Sequence, residues 1–587
     1  MSDVLIPRRD LDFLLGDWLR LGELLEAPKF ATHTRDDVAA VLDLSERVAA
    51  DLFLPAYKRA DQIEPTLDAD GVKVIPEIAA AVRGYAELGL FAAGFDEALG
   101  GMALPSLVCT ASLAQFMAAN LSASAFVMLT TANARLIAAF GTPTQIDTFA
   151  RPGIAGQAMG TMCLSEPQAG SSLADIRTRA EPDGEDALGR RFRLTGNKMW
   201  ISGGDHDVSE DIVHLVLAKV PGPDGQLVEG TSGISLFIVP KRLPSGERND
   251  VAVAGLNHKM GYRGIPNCLL NLGERGGAVG WLVGEVGQGL PIMFQMMNEA
   301  RINVGLGAAA VAYRGYRHAL RYAGERLQGR PLDTPRGVTI APVPIIEHAD
   351  VKRMLLAQKV YAEGSLALIL YCARLVDEPD DSDAAELLGL LTPVAKTWPS
   401  EWGLVANDLA IQVHGGYGYT RDFDVEQLYR DNRLNPIHEG TTGIQALDLL
   451  GRKTLKSNGR GYAILRERIA ATIGGAADDP RLAAYGDLLA DAWDHVTSVV
   501  DGLRPLDPAA ALENATPFLS AFGHVVLAWL WLDQAVVAAK LGDDAFHRGK
   551  LWACRFFFET EVPKIAPWLD FVDSHSDVAS AAPADIF

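Results

Sequence analysis

The sequence predicts an α+β protein: a helical amino-terminal domain, a central β-barrel or small sheet, a helical-bundle domain, and an additional helical extension at the carboxy terminus. Apolar residues first recur at helical spacing, from about 36 to 158, in RDDVAAVLDLSERVAADLFLPAY, VIPEIAAAVRGYAELGLFAAG and SLVCTASLAQFMAANLSASAFVMLT, with Pro and Gly between the runs. Near 159 the pattern turns to short β-branched or alternating runs bounded by Gly, Pro, Asp and Asn, among them FRLTGNKMWISGG, DIVHLVLAKV and SGISLFIVP. Helical spacing then returns at about 287, interrupted by the Pro-rich stretch 328–345 and the acidic stretch 377–386. These changes place domains at 1–158, 159–283, 284–455 and 456–587, in keeping with the size of the 587-residue chain.

Charge and cysteine usage narrow the function classes. A formal net charge of −21 repels nucleic-acid phosphates, and no basic patch offsets it, so no nucleic-acid partner is expected. The start, MSDVLIPRRDLDFLL, lacks the apolar core of a secretory signal and no stretch reads as an integral membrane segment, which makes a cytoplasmic protein the expectation. Cys109, Cys163, Cys268, Cys372 and Cys554 have no metal-type spacing and mostly lie in apolar runs, as reduced core residues do; no metal is expected. From 456 onward 18 acidic residues face 11 basic ones, so an anionic leaflet would not attract the extension. Its most apolar piece, SAFGHVVLAWLWLDQAVVAA at 520–539, reads as a helix buried against this chain or a second subunit.

Residues 412–451 read QVHGGYGYTRDFDVEQLYRDNRLNPIHEGTTGIQALDLLG. Val405, Leu409 and Val413 recur at helical spacing until Gly415 and Gly416 stop that helix, and a short helix over roughly 424–433 turns Val425 and Leu428 inward. Asn435-Pro436 breaks the helix; Thr441 or Thr442 caps a further one carrying Ile444, Leu447 and Leu450 on one face and ending at Gly451. Glu439 thus falls on a loop between anchored helices. By spacing alone it is either a charge serving the next helix dipole or a general base in an apolar pocket, with Gly440 and Thr441 available to a phosphate or carbonyl.

Four motifs stand in order: MCLSEPQAGSS at 162–172, NKMWISGG at 197–204, NEARINVGLGAAA at 298–310 with YAGERLQGR at 322–330, and the Glu439 segment. Together they resemble the acyl-CoA dehydrogenases, FAD enzymes that place a double bond between C2 and C3 of an acyl-CoA thioester, in the larger members with an extra carboxy-terminal helical domain. The resemblance implies a four-helix bundle over the third domain and Glu439 as catalytic base. It places Leu164, Ser165, Ser171, Trp200, Ser202, Arg326, Gln412, Gly416 and Thr441 at FAD, and Ser171, Asn298, Arg301 and Gly440 at the substrate. One branch of the family carries its base immediately before Arg301, where this chain has Ala300, and Glu299 is about 100° round the helix from that position.

Arg326, Gln412 and Gly416 match residues that reach the FAD of a neighbouring subunit, which implies a homodimer or homotetramer. The family also implies an electron-transfer flavoprotein as partner and a place in fatty-acid β-oxidation and lipid metabolism. Two rival readings remain: an acyl-CoA oxidase with O2 as acceptor, and a catalytically idle flavin-binding relative that binds nucleic acid.

Overall fold

A computed structural model describes residues 2–335, 337–338, 340–378, 381–456 and 459–587; the side chains at 2 and 295–298 lie outside the described residues. The chain divides into two compact units, one of Ala27–Ala300 and one of Asp3–Glu26 with Arg301–Phe587.

In the first unit, helices α1 (Arg35–Val48), α2 (Leu54–Gln62), α3 (Pro76–Glu87), α4 (Ser106–Ala119) and α5 (Leu121–Phe140) precede the main sheet. Thr34 caps α1 reciprocally: its hydroxyl accepts from Asp37 N at 3.1 Å while the Asp37 carboxylate accepts from Thr34 N at 2.8 Å. The all-helical reading of this region misses a hairpin, β1 (Thr66–Asp68) with β2 (Gly71–Lys73). Ala69 and Asp70 make its turn, with Asp68 Oδ1 accepting from Asp70 N and Gly71, where β2 starts, at φ +117°.

Eight strands follow: β3 (Ala158–Cys163), β4 (Arg179–Asp186), β5 (Gly189–Ser202), β6 (Asp211–Lys219), β7 (Ile234–Pro240), β8 (Val251–Leu256), β9 (Asn267–Leu272) and β10 (Ala278–Val283). Their order is β10-β7-β6-β4-β5-β9-β8, with β3 parallel to β6, and β10 pairs β5 as well as β7, curling the sheet on itself. Residues of β6 alternate between two cores: Val213, Leu215 and Leu217 pack with Ile137 and Trp281, whereas Val216 and Ala218 pack with Phe192 and Leu270. Helix α5 seals one face. Asn133 Nδ2 donates to the Thr161 and Val213 carbonyls, 2.9 Å each, and a Cβ at Gly160 would sit 2.5 Å from Asn133 Cβ.

Helix α6 (Gly289–Glu325) runs from the first unit into the second, which holds α7 (Ala349–Val376), α8 (Ser382–His414), α9 (Val425–Asn432) and α10 (Thr442–Leu447). Gly305 permits a close approach of α6 to α8: a Cβ there would lie 2.0 Å from the Ala395 carbonyl oxygen. Pro399, four residues on, has no N–H to offer that carbonyl, so the helix is open where α6 arrives.

The extension contributes α11 (Arg460–Ala477), α12 (Ala483–Leu503), α13 (Ala515–Leu541), α14 (Ala545–Thr560) and α15 (Ile565–Asp573). Helices α5 and α13 are long and apolar enough to cross a membrane, yet 67% and 83% of their apolar windows are buried inside the protein. On α13 the Trp529 and Trp531 N–H groups donate to Thr472 Oγ1 and the Val360 carbonyl, as buried indoles require.

Residues 3–26 pack in the second unit, a departure from the placement of 1–158 as one domain. Leu11, Phe13 and Leu14 are fully buried, Trp18 Nε1 donates to Asp533 Oδ2 at 2.7 Å, and Asp10 meets Lys550 at 2.6 Å and the Tyr313 hydroxyl at 2.8 Å. The amphipathic start thus finds its partners in the second half of the chain.

Candidate active site

Glu439 sits on the turn between α9 and α10. Its backbone is left-handed, φ +53°, followed by Gly440 at +90°, a conformation that costs a residue with a side chain about 1–2 kcal/mol. Gln445 holds this turn: its buried side-chain amide donates to the Glu439 carbonyl at 3.0 Å, and a Cβ on Gly440 would lie 2.5 Å from the same nitrogen. Thr442 Oγ1 donates to Glu401 of α8, fixing the start of α10. Thr441 occupies the N-cap with an exposed hydroxyl that makes no capping bond.

Burial raises the Glu439 carboxyl above its ordinary range, with the charges of Arg301 and Lys396 opposing. Arg301 is itself 3% exposed and donates to Asp448 Oδ2 at 2.8 Å, while Arg452 donates to the other oxygen at 2.6 Å. Lys396 on α8 is fully buried, and its Nζ has no hydrogen-bond partner among the described residues. Burial brings its amine down to about 8 against the charges of Glu401 and Glu439.

His438 is neutral, since burial and then the Lys396 charge hold its imidazole at about 3. Its Nε2–H donates to Asn435 Oδ1 at 3.0 Å and opens a head-to-tail relay. Asn435 donates to Asn432 at 2.8 Å, Asn432 to Asn407 at 2.7 Å, and Asn407 to the Val311 carbonyl at 3.1 Å. Each amide is satisfied and all three are buried, so the relay ties the Glu439 turn to α9, α8 and α6. Sequence reasoning missed it: Asn432 and Asn435 stand in the polar stretch YRDNRLNP, which reads as a surface turn, and only Asn407 lies inside a long helix.

In the first unit, Ser165 and Trp200 are brought together because Met199 N donates to the Ser165 carbonyl at 3.0 Å, joining the end of β3 to β5. A bulge follows Lys198: the register against β9 shifts before Ile201, Trp200 takes φ +67°, and its side chain is 60% exposed. The bulge turns Ile201 into the core and leaves Trp200 and Ser202 on the other side; Asn267 Nδ2 donates to Ser202 Oγ at 3.4 Å. An exposed indole held in strained backbone is an unusual use of Trp, and it presents a flat apolar face suited to a planar ring.

Beneath lies an ion pair that sequence reasoning also missed, Lys198 with Glu166 at 2.9 Å, both nearly inaccessible. Glu166 further accepts from Thr178 N and Oγ1, Arg177 N and Gln168 Nε2, closing the loop that carries Leu164, Ser165 and Ser171. Burial alone would raise this carboxyl, but Lys198 and these donors hold it at about 2. Ser171 is exposed, and neighbouring Ser172 donates to Asp175 at 2.6 Å. These residues fit a flavin: half-buried hydroxyls beside an exposed indole, and a loop open to a phosphate.

Arg326 is exposed, 5.8 Å from the Tyr417 ring, and Gln412, Gly416, Tyr417 and Tyr419 are exposed near it in sequence or space. Glu299 is engaged by Arg135 at 2.9 Å. The expected substrate contact of Asn298 lies outside the described residues.

Family descriptions match almost end to end: acyl-CoA dehydrogenase N-terminal domain at 56–157, middle domain at 161–274, C-terminal domain at 287–454, and "Acetyl-CoA dehydrogenase C-terminal like" at 465–583. The 3-methylmercaptopropionyl-CoA dehydrogenase of Ruegeria pomeroyi is 34% identical over 94% of this chain and 95% of its own. The broad-specificity linear acyl-CoA dehydrogenase FadE5 of Mycobacterium tuberculosis is 33% identical over 96% and 97%. Among solved structures, Caenorhabditis elegans ACDH-11 in complex with C11-CoA shares the fold at TM-score 0.79 and 21% identity, covering 98% of this chain and 96% of that one. Acyl-CoA dehydrogenase complexed with FAD from Bacillus anthracis does so at 0.75 and 20%, covering 98% and 93%. With a half-buried carboxylate on a left-handed turn at Glu439 and its four domains accounted for in order, the chain belongs to the acyl-CoA dehydrogenases, an enzyme family that binds FAD.

Proposed function

We propose that this chain desaturates an acyl-CoA thioester to the trans-2-enoyl-CoA with Glu439 as base. The observation that carries the reading is the Glu439 carboxyl itself, raised by burial and aimed by a left-handed turn that Gln445 locks. The Glu439 N–H is the chain's donor to the thioester carbonyl, where negative charge builds as the C2 proton leaves. The C2–H bond breaks toward a Glu439 oxygen, its electron pair forms the C2=C3 bond, and hydrogen departs from C3 as hydride. FAD, when bound, supplies the acceptor for that hydride at N5.

Ser165 and Ser202 offer hydroxyls to the polar edge of the ring system, Trp200 covers it, and Ser171 and Thr441 stand at phosphate-bearing parts. An apolar surround lifts the carboxyl toward the acidity of the activated C2 proton, which lowers the cost of transfer. Electrons pass onward to an electron-transfer flavoprotein in this reading, and Arg326, Gln412 and Gly416 complete the FAD site of a second copy.

Glu439→Gln tests the assignment. The purified variant is expected to keep its yellow flavin and to lose bleaching by a panel of acyl-CoA thioesters by about 10²- to 10⁴-fold. Bleaching at the wild-type rate would overturn it. Peroxide measured with and without an artificial electron acceptor separates a dehydrogenase from an oxidase.

A further inference from the structure

We propose that Lys396 is a positioning residue for the reaction, a buried counter-charge that keeps Glu439 in its proton-accepting form until substrate arrives. This rests on the reading of Glu439 as the base. The ionisable groups around the two are Arg301 from α6, Lys396 and Glu401 from α8, His438 from the turn itself and, behind Arg301, Asp448 with Arg452 and Lys453.

Most are already committed. Arg301 also opposes burial at Glu439, but its guanidinium is tied to the Asp448 carboxylate at 2.8 Å. Glu401 accepts the Thr442 hydroxyl, and His438 is uncharged with its N–H given to Asn435. Lys396 differs. It is fully buried, its Nζ has no hydrogen-bond partner among the described residues, and its charge is felt by both His438 and Glu439.

A buried, unpaired ammonium is among the costliest groups a core can hold, and packing alone would be served as well by Met. The α8 backbone around it is specialised too. Pro399 frees the Ala395 carbonyl that Gly305 approaches, and Ser400 Oγ donates to the Lys396 carbonyl at 2.6 Å, so the lysine is carried on a turn whose position is fixed from two sides. Burial pushes Glu439 toward its protonated form; the Lys396 charge opposes that. When an acyl chain displaces water from the site the balance moves back toward proton uptake, which is the moment at which the base must accept.

The test compares wild type, Lys396→Met, Lys396→Gln, Lys396→Arg and Glu439→Gln as FAD-loaded enzymes, reading single-turnover flavin bleaching by an acyl-CoA against pH, with flavin content and Tm measured alongside. Both neutral variants are expected to move the acid-side midpoint upward by about one pH unit, since an opposite charge at close range lowers a carboxyl by that order or more. Their rate at high pH should stay within a few-fold of wild type, and Lys396→Arg should restore the midpoint. A flavin-loaded Lys396→Met or Lys396→Gln protein with an unmoved midpoint overturns the proposal, as does loss of rate at every pH with no shift. If neither neutral variant folds, the proposal stands or falls on Lys396→Arg, which must then fold and keep the wild-type midpoint. Wild-type bleaching by Glu439→Gln would instead remove the reading on which the proposal rests, whatever the Lys396 variants do.

Discussion

Glu439 carries two liabilities, a left-handed backbone and a carboxyl that burial disfavours in its charged form. Because its folded pKa lies above its unfolded one, the folded state retains a proton that the unfolded state has released, and stability falls as pH rises through that window. Glu439→Gln is therefore expected to match wild type near pH 4 and to exceed it by about 1 kcal/mol near pH 8 in urea unfolding, a gain typical when a strained functional residue is relieved. Lys396 works in the opposite window. Its folded pKa of about 8 lies below the unfolded value of 10.5, so its penalty fades as pH rises from 8 to 10.5.

Glu439 stands out in the sequence as a candidate because its neighbours form a family motif. Lys396 does not, since a lysine in TPVAKTWPSEW reads equally as a snorkelling surface residue until its burial is known. His438 could not be assigned from sequence because its charge state depends on burial and on Lys396, 42 positions earlier in the chain.

At the scale of elements, local periodicity misplaces the buried face in three places. Val405 was grouped with Leu409 and Val413, but it is 38% exposed, and α8 buries Gly403, Ala406, Asn407, Ala410 and Val413 instead. Leu447 is 45% exposed because the chain widens into a π-helical stretch over Asp448–Leu455, which turns Leu449 and Leu450 inward and carries the helix past Gly451.

The β5 bulge is a third case: strict alternation from Phe192 and Leu194 through Lys198 would bury Trp200, and one inserted residue exposes it. The pair beneath that bulge gives a test. Lys198→Met leaves Glu166 buried without its cation and is expected to cost about 3–5 kcal/mol in denaturant unfolding, with retained FAD falling in parallel. Stability and flavin content equal to wild type would show that the bulge does not depend on the pair.

At the scale of the molecule, the order of helical and β regions followed from period changes alone, and the buried α13 followed from its apolar, net-acidic setting. Assembly is the remaining question. Arg326 stands exposed against Tyr417, and Arg326→Ala is expected to lower retained FAD several-fold, or to dissociate the assembly in light scattering, without lowering the Tm of the separated chain. Unchanged flavin content and mass would remove Arg326 from the second copy's site. Arg326 Nη2 donates to Gln328 Oε1 at 3.2 Å, a contact within its own loop.

Asp10 and Lys550 face each other at 2.6 Å across nearly the whole length of the polypeptide, with Phe13 against Phe546 beside them. During synthesis the first helical turns leave the ribosome with no binding surface waiting for them. At about 5–20 residues per second, roughly a minute passes before their partners are made. For that interval Leu11, Phe13, Leu14 and Trp18 lack the surfaces that bury them in the folded protein. A bulky fusion partner joined at the first residue would burden their burial far more than one joined to an exposed loop.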